Sequence, residues 1–258
     1  MRFVKLLTMA LALAVVSLAQ PVSPIGTMAH FQSGGGWRTT FYLFNTSQTV
    51  ANVQLNFYDD NGQALPVPLR LTQVGIAIQL GSLSQFVYGL PAGAVLEVES
   101  DSSDPVGTTG WAKLQGGSNV TGYLIFRYAG LDGLGVQEAI VTPETRNGKS
   151  YLLAFDNTGQ HFTSFAVANI TNQPVDVTMT ARDAVTGAAL GPPIILPLTA
   201  MGHRADLFSK LLSSTTLQSG TVEFTTPSPG QISVLGLRFT TTGPTTYAFT
   251  SVPPIMKQ

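Results

Sequence analysis

Apolar and polar residues alternate with a period of two along much of this chain. Val53, Leu55 and Phe57 alternate with Asn52, Gln54 and Asn56, and Val177, Met179 and Ala181 alternate with Asp176, Thr178 and Thr180. Period two over six residues predicts a strand with one wet face. Before each run lies a short apolar stretch, Phe41–Phe44 or Phe165–Ala168, followed by turn residues starting at Asn45 or Asn169. Asn, Ser, Thr and Gln in such a gap are turn chemistry, so each pair predicts a hairpin.

The two hairpins are related. Phe41 and Phe165, Asn45 and Asn169, Val53 and Val177, and Asp59 and Asp183 share one spacing, 165 − 41 = 124 residues. Upstream, Phe31 matches Phe155 and Thr39 matches Thr163. Downstream, Gly110-Trp111-Ala112-Lys113-Leu114 matches Gly220-Thr221-Val222-Glu223-Phe224. Leu124–Tyr128 is aligned with Leu235–Phe239, placing Arg127 opposite Arg238. The first copy is longer, with its extra loop read at Tyr88–Gly93. A duplicated unit of about a hundred residues fits two copies of a small domain.

Each copy offers about seven short strands, the count of a sandwich in a domain of that size. The expected fold is all-β: two tandem antiparallel β-sandwich, immunoglobulin-like domains, with a small barrel as the structural rival. Domain 1 is placed at 27–143 and domain 2 at 151–254, with 144–150 as a polar, turn-rich linker.

The N-terminus has a different pattern. Arg2 and Lys5 precede the apolar run Leu6–Val16, and Ser17-Leu18-Ala19 follows it. This is the layout of a signal peptide, 1–19, cleaved after Ala19. An uncleaved anchor is the alternative, but the run is short for a membrane span. An exported protein is expected, at the cell surface, in the periplasm or outside the cell.

Composition narrows the function. Only 10% of the residues are charged and the net charge is −1, so no basic field exists to hold nucleic acid. There is no cysteine, which removes thiol catalysis, thiolate metal sites and disulfides. Thr, Ser, Asn and Gln carry the surface polarity.

The string Gly34-Gly35-Gly36-Trp37, Thr39-Thr40-Phe41, Asn45-Thr46-Ser47, Phe57–Gly62, Gly110-Trp111-Ala112 and Phe126-Arg127 resembles a group of uncharacterised secreted bacterial proteins. Those are built of tandem immunoglobulin-like sandwich units. The resemblance implies fold and export, and supplies no catalytic residues.

Candidate contact residues are Trp37, Trp111, Lys113, Arg127 and Arg238. Alternation with Ala112 and Leu114 points Trp111 and Lys113 outward, where an indole stacks on a sugar or packs on a partner. Cover by the second copy, or by the Tyr88–Gly93 loop, is the plainer reading of Trp111. Trp37 sits in a Gly-rich loop and either contacts a ligand or plugs the sandwich end. Arg127 and Arg238 read as outward arginines that cover apolar surface, or as repeated anion contacts.

Catalytic groups are sparse. His203-Arg204-Ala205-Asp206 is the one compact His–acid cluster, and no Gly-x-Ser-x-Gly accompanies it. Glu97 and Glu99 on one strand face read as a solvated face. Asp59-Asp60-Asn61-Gly62 resembles the start of a calcium loop, but no acid closes it. The expectation is a non-catalytic structural or interaction protein, with no cofactor and no metal. Its partner is a protein, a further copy of itself, or a glycan. Carbohydrate binding through an exposed Trp is the alternative, and a hydrolase using His203 and Asp206 is a remote third.

Overall fold

The computed structural model describes residues 23–73, 76–101, 103–129, 136–243 and 247–257. The expected signal segment and its cleavage site lie outside them. The described chain is all-β and antiparallel. The first half contains β1 (Ser23–Ser33), β2 (Trp37–Asn45), β3 (Ala51–Tyr58), β4 (Val67–Gln73), β5 (Ile76–Leu83), β6 (Gln85–Leu90), β7 (Val95–Ser100), β8 (Thr108–Gly116), β9 (Val120–Ala129) and β10 (Val136–Val141). The second half contains β11 (Ser150–Asp156), β12 (His161–Asn169), β13 (Val175–Asp183), β14 (Ile194–Leu198), β15 (His203–Leu207), β16 (Ser219–Thr225), β17 (Ile232–Thr241), β18 (Tyr247–Val252) and β19 (Ile255–Lys257). One helical turn, α1 (Phe208–Leu211), follows β15.

These strands form four sheets. Sheet I is β1-β8-β3-β6 and sheet II is β10-β9-β2-β7-β4-β5. Sheet III is β14-β13-β16-β11-β19 and sheet IV is β15-β12-β17-β18. The sheets are arranged as a four-bladed, propeller-like ring, not as two clearly separate immunoglobulin-like sandwiches. The strand order of I and II nonetheless recurs in III and IV. β1-β8-β3-β6 corresponds to β11-β16-β13-β14, and β10-β9-β2-β7 to β18-β17-β12-β15.

Alternation builds the core. Phe41 and Leu43 of β2, Val53, Leu55 and Phe57 of β3, and Leu124 and Phe126 of β9 are buried in one cluster. Phe31, Phe41 and Phe57 meet there edge to face at 5.5–6.2 Å, a favoured aromatic geometry. Tyr151, Phe155, Phe165, Phe208 and Phe224 anchor the second cluster. The first cluster also takes Ala166, Leu235 and Leu237 from sheet IV. Sheet IV is therefore covered on both faces. This explains why Ile232–Leu237 in β17 is buried without a break, since a strand covered on both sides needs no wet positions.

The shared Asn residues are structural. Asn45 Nδ2 donates to the carbonyls of Thr49, Leu90 and Pro91, while its Oδ1 accepts from the Ser47 amide and hydroxyl. Asn169 repeats this with Gln173, Thr199 and Thr171. Each buried amide ties the turn after β2 or β12 to the turn before β7 or β15.

Four placements differ from expectation. The additional length of the first half is the β4–β5 hairpin, because the turn Leu90–Val95 is matched in full by Leu198–His203. In β9, Asn45 faces Val120, whereas Asn169 faces Ile232. Arg127 is consequently equivalent to Phe239, and Arg238 to Phe126. A slip of one residue moves a side chain to the other face of a sheet, so the two arginines are not counterparts. The strands also overrun the expected boundaries: β1 begins at Ser23 and β19 runs to Lys257, beside β11. The segment read as a linker is fastened at both ends, by Glu144 to Thr27 and by Gly148 to the Tyr151 hydroxyl.

Candidate functional site

The five expected contact residues are not gathered in one place. Trp111 and Lys113 do share the outer side of sheet I, as alternation requires. Trp111 is nevertheless fully buried. Its ring stacks on Tyr58 at 4.7 Å, and its indole N–H donates to the Met201 carbonyl at 2.8 Å. The turn between β14 and β15 covers it, so it cannot stack on a ligand. Lys113 stays half-buried beside an amide network in which Asn56 bonds Gln54, Gln85 and Gln115. Arg238 points to the inner side of sheet IV and pairs with Asp156 at 3.1 Å. Trp37 opens β2 instead of tipping a loop, and packs on Phe126, Tyr128 and Phe249.

The same turn locks the two halves together. Gly62, at φ +81°, approaches so closely that a Cβ there would collide with the Ala200 carbonyl oxygen. The Thr199 hydroxyl donates to the Asn61 carbonyl, and the His203 amide donates to the Asp60 carbonyl. A side-chain relay runs alongside. His203 Nδ1 lies 2.7 Å from Asp60 Oδ1, and His203 Nε2 lies 3.3 Å from His30 Nδ1. A carboxylate only accepts, so Nδ1 of His203 carries a proton toward Asp60, and a single N–H bridges His203 Nε2 and His30 Nδ1. A bulge between Met28 and Phe31 makes this possible, because it inserts one residue between two core positions and turns His30 toward sheet IV. Burial, followed by the neighbouring His203, pushes His30 from 6.5 down to about 3.

This relay disposes of the His203–Asp206 pair. Both ring nitrogens of His203 are engaged elsewhere. Asp206 is three positions along the strand and bonds Arg204, Lys210 and the Leu207 amide. Burial alone would raise the Asp206 pKa, but those bonds outweigh it and hold it below the usual value. Asp60, read as part of a calcium-like turn, is instead a link between halves. Among the described residues no group of three or more His, Asp or Glu is placed to hold a metal ion.

A cleft of about 520 Å³ runs between β10 with residues 142–146 and strands β17–β19. Its charged pair is self-contained: Arg146 binds Glu144 and the Pro254 carbonyl.

The outer side of sheet II is different. Tyr42 of β2 and Tyr123 of β9 stand directly opposite, with ring centroids 5.2 Å apart, and Phe44 adds a third ring 5.7 Å from Tyr123. Beside them, Glu99 receives Arg38 Nε at 2.9 Å and Arg70 Nη2 at 2.7 Å. Arg127 stands near Glu138 at 3.9 Å on the far side. Burial, and then the Glu97 carboxylate, hold the Tyr42 phenol above its ordinary pKa. Burial and Glu99 likewise raise Glu97. Among the described residues, β2, β7 and β9 make their main contacts with sheet neighbours, and β2 and β9 also meet β1.

The equivalent side of sheet IV carries other residues. Register places Ala166 at the position of Tyr42, Leu235 at Tyr123, Leu237 at Ile125, Phe239 at Arg127 and Phe249 at Glu138. Those residues belong to or pack on the first cluster. The same face is thus apolar and covered in one half, and aromatic, charged and partly exposed in the other. The sequence signal for this was available at Ile232–Leu237, where alternation stops. No protein-family model, curated protein or solved structure matches this chain.

Proposed function

We propose that this is an exported, non-catalytic interaction protein that binds a protein partner through the outer side of sheet II. The single observation that carries the reading is the contrast between equivalent faces. The second half's face is used up in joining the halves, while the first half's face keeps Tyr42, Tyr123 and Arg127 toward solvent. Tyr and Arg on a partly exposed, rigid sheet are the residues that dominate protein interfaces. Glu99 fixes Arg38 and Arg70, so the polar contacts are preorganised and lose little freedom on binding.

Within the same reading, the chain is a duplicated two-sheet unit with immunoglobulin-like sandwich character, closed into a ring by the His–Asp junction. The recurrent strand order and the matching Asn45 and Asn169 networks support it. Export, as in the secreted proteins the sequence resembles, rests on the signal-like segment.

The test compares wild type with Tyr42→Ala/Tyr123→Ala as bait against envelope and medium fractions of the producing cell. A partner retained by wild type and lost from the variant, with unchanged melting, is expected. A partner held equally by both would place binding elsewhere.

A further inference from the structure

A second cleft opens where the first half meets the outer side of sheet IV. It holds about 260 Å³ and is lined by Trp37 on one side and by Phe162, Leu237 and Phe239 on the other. We propose that this cleft is a binding site for a single uncharged pyranose residue, with Trp37 and Phe239 as ring platforms and His30 as the polar group at its base. The site is distinct from the sheet II face and does not depend on it.

The walls are rigid. Trp37 is held from behind by Tyr128 at 4.8 Å and Phe249 at 5.5 Å, and Phe162 stacks on Phe239 at 4.8 Å with planes 2° apart. Aromatic faces fixed in this way offer apolar area without losing rotamer freedom.

The polar groups suit hydroxyls. His30 is 4% exposed, lines the cleft and spends Nδ1 on His203, which leaves Nε2 for a ligand hydroxyl, a group that both donates and accepts. Burial keeps the ring neutral. Ser164 and Gln32 also line the cleft, and their present bonds are long: 3.5 Å to the Leu237 carbonyl and 3.4 Å to the Thr109 hydroxyl. Such bonds exchange for ligand bonds at little cost. The one carboxylate at the rim, Asp206, is neutralised by Arg204 and Lys210. A neutral cleft with apolar walls and a few hydroxyl partners rejects ions, whose desolvation it does not repay. Its volume falls below the range of drug-sized pockets, which fits one ring and not a chain.

The experiment is saturation-transfer and imidazole ¹⁵N NMR on the mature protein with methyl glycosides of glucose, galactose, mannose and N-acetylglucosamine, and phenol as an apolar-ring control. At least one glycoside is expected to receive saturation and shift the His30 signals. Trp37→Ala should weaken binding tenfold or more, and Ser164→Ala several-fold. If Trp37→Ala does not fold, the wild-type His30 shift and Ser164→Ala decide. Silence from all four glycosides at millimolar concentration overturns the proposal. Binding of phenol alone, or of a glycoside without a His30 shift, overturns it equally.

Discussion

Acid should weaken this fold through His30, at pH values above the ordinary carboxylate range. The folded protein holds His30 at about 3, against 6.5 for a free imidazole. Above pH 6.5 both folded and unfolded forms are neutral and His30 has no effect. Below it the unfolded chain takes up a proton that the folded chain refuses, so stability falls as pH falls, until the folded pKa is reached. Each unit of depression is worth about 1.4 kcal/mol, so lowering pH from 7.5 to 5 should cost about 2 kcal/mol. That is a large share of a typical net stability of about 5–15 kcal/mol. Carboxylates titrate mainly below about pH 4.5, which leaves pH 5–6.5 diagnostic. The assay is urea unfolding followed by Trp fluorescence at pH 7.5, 6.5, 5.5 and 5 for wild type and His30→Asn. Asparagine restores a hydrogen-bonding group near Nδ1 without titrating. Its absolute stability is lower, but the part of the pH slope due to His30 should vanish. A flat wild-type profile, or an undiminished slope in His30→Asn, would refute the reasoning.

Other consequences follow from the same contacts. Trp111→Ala empties a fully buried site and orphans the Met201 carbonyl, at a cost of about 3–5 kcal/mol in denaturant unfolding. Gly62→Val combines a positive φ with a clash on Ala200, and should lower the melting temperature far more than Gly187→Val, which has open space around it. Asn45→Ala and Asn169→Ala each remove a buried amide that ties two turns together, costing about 1–3 kcal/mol by equilibrium unfolding. In a glycosylating host, mass spectrometry should find glycan at exposed Asn119 and none at buried Asn45 or Asn169.

The fold was legible where one face of a strand is wet. Alternation at Val53–Phe57 and Val177–Ala181 fixed strands, register and duplication together. Legibility ended where a second surface covers the first. Trp111 does point away from its own core, as alternation says, but nothing local records that Met201 sits over it. Arg127 and Arg238 were paired by a one-residue error because Leu124–Tyr128 and Leu235–Phe239 match as strings, and only the pairing of Asn45 with Val120 and Asn169 with Ile232 reveals the slip. The relay could not be read at all. It joins His30, Asp60 and His203 across 173 residues, and its formation depends on a bulge in β1. Two of its members have sequence neighbours that suggest other roles, Asp60 in a calcium-like turn and His203 beside Asp206. The sheet II face was hidden for the opposite reason: Tyr42 and Tyr123 look like ordinary strand residues until the matching Ala166 and Leu235 are seen to be covered.

Site-specific photocrosslinking tests the central claim most directly. A benzophenone side chain would be placed at Ile125 on the outer side of sheet II and, separately, at Gln115 on the outer side of sheet I, and each protein irradiated with the producing cell's envelope and medium fractions. The account predicts one discrete adduct from position 125, lost when Tyr42→Ala is added, and none from position 115. Adducts from position 115 alone, or from both positions alike, would contradict it.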